Sequence, residues 1–285
     1  MCARFLLTEK LYSGSFSVVH RARDAILGRD VVVKRCCDDA RARREFRAMS
    51  ELGAVGCRNI AALEVSRLVG DHEIENCRGK HKFYEQAYDH PSNLVVEYYA
   101  GAPSLCASDA EVAGVARDLL VGVSDIHEFG FIHCDVKREN IVFDGQSYRL
   151  IDFGLAVERP LARLHTYVRG TPFYLAPEIV LRGETSPMVD MYAAGVTIYA
   201  LLHGGEHPIA EMNYTTGDKA IQRVIAGKSY DPARWRNADA PLAQDLCLRL
   251  LQRYPPARLT AKEALEHHLV ADRRGDGDIL HQLKA

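Results

Sequence analysis

Three things are scarce in this sequence, and each scarcity excludes a class of function. No apolar run is long enough for a bilayer: the longest, Ala193–Leu202, falls far short of the roughly 20 residues that span one and reads as a buried helix. No excess of charge of either sign exists, since 36 Lys and Arg against 38 Asp and Glu leave a formal net charge of -2. Neither nucleic acid nor an anionic membrane is therefore attracted globally. The eight cysteines include no CxxC pair. Cys36 and Cys37 are adjacent, a spacing at which disulfides rarely form, and a metal site would want close pairs with histidines. Free thiols suit a reducing compartment. Met1–Leu7 lacks the apolar centre of a signal peptide, and there is no internal repeat or low-complexity tract. The expectation is a soluble intracellular protein, cytoplasmic or nuclear, with neither a nucleic-acid nor a membrane partner.

What is present is the balance of a globular chain: 285 residues, 47% hydrophobic and 26% charged, enough for one large domain or two lobes. The first third reads as strands. Phe5–Leu11, Val18–Arg23 and Val31–Cys36 are short runs rich in valine and aromatics, separated by Gly, Ser and Asp. From Ala40 to Leu52 the pattern turns helical, with Phe46, Met49 and Leu52 recurring at spacing three. Arg41, Arg43, Arg44 and Arg47 read as its solvated face. Two more strands are expected near Leu63–Val69 and Leu94–Tyr99, with Gly70–Pro91 an exposed, aperiodic insertion between them. After Pro103 helices dominate: Ala110–Glu128, Val189–Leu202, Thr216–Ala226, Leu242–Gln252 and Thr260–His267. The last opens on a capping box formed by Thr260 and Glu263. The fold class is α+β. A strand-rich lobe over 1–96 precedes a connector over 97–103 and a helical lobe over 104–285.

Phosphoryl transfer asks a protein to hold phosphates, to bridge magnesium to their oxygens and to aim a hydroxyl in line. The sequence offers a group for each task. Lys34 ends the strand Val31–Lys34. Alone, a lysine there would snorkel to solvent; in a phosphate site it would need a fixing carboxylate. Glu45, on the following helix, is the candidate, and Glu51 lies one helical face away. In Phe131–Phe143 a polar loop is clamped between apolar runs. There Asp135 can accept a hydrogen bond from a hydroxyl, Lys137 can neutralise a transferring phosphoryl group, and Asn140 can hold a metal. Asp152-Phe153-Gly154 follows the apolar strand Tyr148–Ile151. Alone it would be a turn; behind the preceding loop, its carboxylate suits magnesium.

In this ordered set the chain resembles the eukaryotic protein kinase family, in its serine/threonine branch, from about Leu11 to Leu269. Lys34, Glu45, His133-Cys134-Asp135-Val136-Lys137-Arg138-Glu139-Asn140, Asp152-Phe153-Gly154, Ala176-Pro177-Glu178, Asp190 and Arg258 carry the resemblance. It implies a two-lobed kinase fold with ATP and magnesium in the cleft and proteins bearing Ser or Thr as substrates. Asp135 becomes the catalytic base, assisted by Lys137. Asn140 and Asp152 become the magnesium ligands. Lys34 becomes the α/β-phosphate lysine, with Glu45 as its partner. Around the nucleotide the resemblance puts Leu11, Tyr12, Ser13, Gly14, Ser15, Phe16, Ser17, Val18 and Val19 of the glycine-rich loop. Val32, Val96 as gatekeeper, Glu97 and Tyr99 of the hinge, and Val142 complete the set. Glu178 would pair with Arg258, and Asp190 would brace the catalytic loop.

The sequence also departs from the family. Of the three loop glycines only Gly14 remains, with Tyr12 and Ser17 at the outer positions. Small residues let backbone N–H groups approach phosphates; Ser17 is small enough, whereas Tyr12 works against tight closure. Val32 stands where alanine is usual. Cys134 replaces the arginine that in many members binds an activation-loop phosphate. Loop phosphorylation, with Thr166 and Tyr167 as candidates, is therefore not expected to be the main switch. Lys137 and the segment Gly170-Thr171-Pro172-Phe173-Tyr174 match the serine/threonine branch, where Thr171 would hydrogen-bond near Asp135 and Lys137. Two rivals remain. One is a pseudokinase scaffold or nucleotide-binding module without turnover, which the thin glycine loop and Cys134 favour and the complete polar set opposes. The other is a small-molecule kinase, which would lack the segment Gly170–Glu178.

Overall fold

The computed structural model describes residues 3–14, 16–36, 39–57, 59–65, 67–76, 92–105, 108–159, 170–209, 225, 227–237 and 239–271. Strand β1 (Phe5–Ser13), β2 (Ser17–Asp24) and β3 (Arg29–Cys36) form an antiparallel meander. Helix α1 (Asp39–Ala54) follows, then β4 (Ile74–Asn76) and β5 (Asn93–Glu97). The five strands make one sheet in the order β4-β1-β2-β3-β5, with β4 parallel to β1 and β5 antiparallel to β3.

Alternation along β3 decides what this sheet can do. Val31 and Val33 face a small core with Phe5, Leu7, Ala22, Val65, Val69 and Val95. The intervening residues Val32 and Lys34 therefore point to the other face, toward α1 and the cleft, because successive side chains on a strand alternate. On α1 the buried positions are Ala42, Glu45, Ala48, Met49 and Leu52, so Glu45 lies on the face turned inward.

The second lobe is built on α2 (Asp109–Glu128), capped by Ser108, whose side chain accepts from the Glu111 N–H at 3.3 Å. Two short antiparallel pairs follow: β6 (Phe131–Ile132) with β9 (Val157–Glu158), and β7 (Ile141–Phe143) with β8 (Tyr148–Leu150). Helices α3 (Pro177–Arg182), α4 (Pro187–Leu202), α5 (Pro241–Leu250) and α6 (Ala261–Leu265) complete the described part. Every residue of α4 from Val189 to Leu202 is buried, as expected of a helix that is apolar all round. The capping box of α6 is formed, with the Thr260 side chain and Glu263 bonding reciprocally. The architecture is the two-lobed α+β arrangement. No helix among the described residues is long and apolar enough to cross a membrane.

Among the described residues the expected helices and strands are present with boundaries shifted by a few residues, with two differences. Leu63–Val69 is not a strand; only Leu63 and Val69 make single bridges, to Val96 and Asn93. The start of the expected insertion is structured, because Asp71 accepts from Arg35 at 3.0 Å and from Asn93 at 3.0 Å, which brings β4 to the sheet edge. Residues 77–91 and the expected helix Thr216–Ala226, apart from Ile225, lie outside the described residues.

Candidate active site

The short strands of two or three residues set the site by holding both ends of its loops. The segment 133–140 connects β6 to β7, and Asp152 follows β8 after Ile151. Ile141 pairs with Leu150, and the Ile151 N–H donates to the Asn140 carbonyl at 2.9 Å. Asn140 and Asp152 are thereby brought side by side from distant sequence positions.

Buried Asp190, on the first turn of α4, accepts from the backbone N–H groups of His133 and Cys134, each at 2.8 Å, and pairs with His127 at 2.9 Å. These bonds hold Cys134 at φ 65°, a left-handed conformation that L residues rarely adopt. Among the described residues Asp152, at φ 64°, is the only other non-glycine residue with positive φ. Each such conformation costs on the order of 1–3 kcal/mol and persists only where the surroundings enforce it. Burial keeps His133 below its usual pKa, hence neutral. Its Nε2 donates to the Ile151 carbonyl at 3.1 Å, and its Nδ1 accepts from the Asp135 N–H at 3.2 Å. The ring also packs edge-on against buried Phe153, with centroids 4.8 Å apart.

Asp135 is the hub of the polar set. Its Oδ1 accepts from the Thr171 hydroxyl at 2.7 Å and from the Thr171 N–H at 3.1 Å. Its Oδ2 accepts from Lys137 Nζ at 2.8 Å and from Asn140 Nδ2 at 3.1 Å. Lys137 also donates to Thr171 Oγ1 at 2.8 Å, which closes a triangle. Gly170 makes this approach possible: it sits at φ 113°, and a Cβ there would stand 2.8 Å from the Cys134 carbonyl oxygen.

Across the cleft Lys34 Nζ donates to both Glu45 oxygens, at 2.7 and 2.9 Å, and to Asp152 Oδ1 at 2.7 Å. Burial works to lower the ammonium pKa, but the Glu45 and Asp152 carboxylates outweigh it and hold it above its ordinary value. Burial would likewise raise Asp152, yet the charge and hydrogen bond of Lys34, with the Gly154 N–H at 3.1 Å, keep it well below the usual carboxylate range. Glu51 takes no part; it pairs with Arg47 at 2.7 Å on the exposed side of α1. In the helical lobe Arg258 binds Glu178 at 2.8 Å, both buried.

Lys34, Glu45, Asp135, Lys137, Asn140, Asp152 and Thr171 line one cleft of about 950 Å³ between the lobes. Leu11, Tyr12, Phe16, Ser17, Val19, Val32, Val96, Glu97, Tyr99 and Val142 line it as well. Ser13, Gly14 and Val18 do not; Val18 lies on the opposite face of β2 from its neighbours. Ser15 and the loop over 160–169, with Thr166 and Tyr167, lie outside the described residues. Ala61, Ile151 and Arg41 also line the cleft, and sequence reasoning missed them. For Arg41 the signal existed: it stands one helical turn before Glu45 and two before Met49.

Cys134 is buried, and its thiol donates weakly to the Ile132 carbonyl, with sulfur and oxygen 3.7 Å apart. Cys36, beneath Lys34, has its thiol pushed up to about 12, chiefly by burial. The Cys36 thiol is therefore not poised to react at neutral pH.

Residues 5–270 match the family model described as protein kinase domain. The chain is 31% identical over 278 residues to calcium-dependent protein kinase 22 of Oryza sativa subsp. japonica, covering 93% of this chain and 45% of that protein. It is 30% identical over 309 residues to calcium-dependent protein kinase 5 of the same plant, covering 98% and 51%. With death-associated protein kinase dapk-1 of Caenorhabditis elegans it shares 28% over 280 residues, covering 95% and 19%. The chain thus spans about half or less of the length of these relatives. With the family model matching most of its length, over the same residues that build the two lobes and the cleft between them, the chain belongs to the protein kinase domain family.

Proposed function

We propose that this chain is an ATP-dependent protein kinase that phosphorylates serine and threonine hydroxyls. Residues 5–270 act as one catalytic unit, with the nucleotide held between the lobes beside the 97–103 connector. The observation that carries this reading is the arrangement around Asp135, whose two oxygens are held by Thr171, Lys137 and Asn140 at 2.7–3.1 Å.

In this reading a substrate hydroxyl enters beside Asp135, which accepts its hydrogen bond, fixes its direction and takes its proton as transfer proceeds. Lys137 stays next to the reacting oxygens and offsets negative charge on the moving phosphoryl group. Lys34, locked by Glu45, holds phosphate oxygens further in. Thr171 narrows the approach to Asp135, which favours a short aliphatic hydroxyl over the longer reach of a phenol.

The donor set fits magnesium. Asn140 Nδ2 donates to the Asp135 carbonyl at 2.8 Å as well as to its side chain, so its amide oxygen is the group it can offer a cation. Asp152 offers an ionised carboxylate. Both are hard oxygen donors. Among the described residues no cluster of three or more His, Cys, Asp or Glu forms a metal cage. A pair of protein ligands is what a cation needs when phosphate oxygens supply the rest. Bound there, magnesium would neutralise charge on the phosphates being separated.

The alternative, a nucleotide-binding module without turnover, is favoured by the single loop glycine and by Cys134. The test is transfer of labelled γ-phosphate from Mg-ATP to a generic protein substrate, followed by phosphoamino-acid analysis. Label on serine and threonine that vanishes on chelating magnesium supports the proposal. Absence of any transfer with ATP still bound favours the module, and label mainly on tyrosine contradicts the serine/threonine assignment.

A further inference from the structure

At the phosphate end of the cleft one donor of the loop is already engaged. The Gly14 N–H is used within its own turn, donating to the Ser17 carbonyl at 3.0 Å. Tyr12 folds over Gly14 so closely that a Cβ there would collide with its ring and hydroxyl. Lys34 is shared between two carboxylates.

Arg41 stands in the same region. It projects from α1 one turn before Glu45 and lines the cleft with Lys34 and Asp152. Its guanidinium carbon lies 4.7 Å from the centroid of the Phe16 ring at the tip of the loop. Its Nε and Nη2 lie 3.0 Å from where a Cβ on Gly154 would be. Its charge acts on Glu45 and on Cys36. The neighbouring arginines face outward: Arg43 pairs with Asp39, and Arg47 with Glu51 and Glu158. A guanidinium held between a loop tip and the glycine after a metal-ligand candidate is placed for phosphate oxygens, whose geometry matches its planar fork.

We infer that Arg41 is a third phosphate-facing cation of the cleft beside Lys34 and Lys137, gripping the terminal phosphates of the nucleoside triphosphate near the degenerate loop. Phe16 stacks on the guanidinium and couples the loop tip to the phosphate. This rests on the reading of the cleft as an ATP site.

The test is calorimetric titration of phosphatase-treated protein with Mg-ATP and, separately, with adenosine. Arg41→Met keeps an unbranched apolar stem without the charge; Arg41→Lys keeps the charge without the fork. Arg41→Met is expected to weaken Mg-ATP about tenfold or more, equivalent to ~1.4 kcal/mol, and to leave adenosine within about twofold. Arg41→Lys should fall between. Unchanged Mg-ATP affinity in Arg41→Met overturns the inference. So does an equal loss for ATP and adenosine, which would mark a structural role. A loss seen only before phosphatase treatment also overturns it, since Arg41 would then meet a phosphorylated side chain of the protein. Failure of the unsubstituted chain to bind ATP contradicts the kinase reading itself, whereas ATP binding indifferent to Arg41 contradicts this inference alone.

Discussion

Replacing Asp190 by asparagine should separate the scaffold of the catalytic loop from its chemistry. The carboxylate accepts three bonds in a buried setting: from the N–H groups of His133 and Cys134 at 2.8 Å and from His127 at 2.9 Å. An amide of the same shape has one oxygen. It can still receive the Cys134 N–H, with the loss of about 1 kcal/mol that distinguishes a charged acceptor from a neutral one. His127 can switch tautomer and accept from the new NH₂ group. The His133 N–H then faces a donor, and a buried N–H without a partner costs roughly 1–3 kcal/mol. The sum is about 3 kcal/mol, which in a domain of this size lowers the melting midpoint by roughly 6–12 °C. The loop would also lose the hold that keeps Cys134 at φ 65° directly before Asp135. We therefore expect kcat to fall at least about tenfold while the KM for ATP stays within about twofold, because Lys34 and Asp152 are untouched. Urea unfolding gives the first quantity and initial rates the second. A loss of stability below about 1 kcal/mol together with unchanged kcat would refute the bracing role.

Further outcomes follow from the same geometry. Burial pushes His207 down to about 4 from an ordinary 6.5, with its ring bonded to the Phe173 carbonyl and the Ile209 N–H. The unfolded chain therefore binds the proton that the folded chain resists. Stability from this group is complete above about pH 6.5 and declines toward pH 4, by about 3 kcal/mol in all. His207→Gln should flatten that decline in urea midpoints measured across the range, and an unchanged slope would contradict it. Asp152→Ala should remove the magnesium-dependent part of ATP affinity and leave adenosine binding intact; a magnesium response equal to that of the unsubstituted protein would exclude it as a ligand. Arg258→Ala strands the Glu178 carboxylate in the core and should cost about 3–5 kcal/mol. Adding Glu178→Gln should recover part of that loss, and no recovery would mean that the pair's charge is not what matters.

Much of the site was legible because its members lie in short segments whose local structure is set by local sequence. Lys34 closes the apolar run Val31–Val33, 133–140 is a polar loop between apolar runs, and Asp152 follows a strand. What was not legible depends on distant partners. Three residues of β4 carry no periodicity, and their place beside β1 follows from Asp71 meeting Arg35 and Asn93. Leu63–Val69 has strand composition and packs Val65 into the small core, but among its described residues only Leu63 and Val69 bridge to the sheet. The left-handed backbone of Cys134 has no signal in a cysteine; it follows from Asp190, far along the chain. Arg41 sits in a sequence cluster with Arg43, Arg44 and Arg47 that reads as one solvated face, whereas helical spacing sets it with Glu45 and Met49.

In the proposed reaction Asp135 receives the proton of a serine or threonine hydroxyl during phosphoryl transfer. Asp135→Asn keeps the shape of the side chain and one oxygen for Thr171, so fold and Mg-ATP affinity should change little. The direct measurement is single-turnover transfer from Mg-ATP to a serine-bearing substrate at saturating nucleotide, with ATP binding measured in the same preparation. The expected result is a rate lower by several orders of magnitude, on the order of 10³-fold, with ATP affinity within about twofold of the unsubstituted protein. Near-normal transfer by the variant would contradict the assignment.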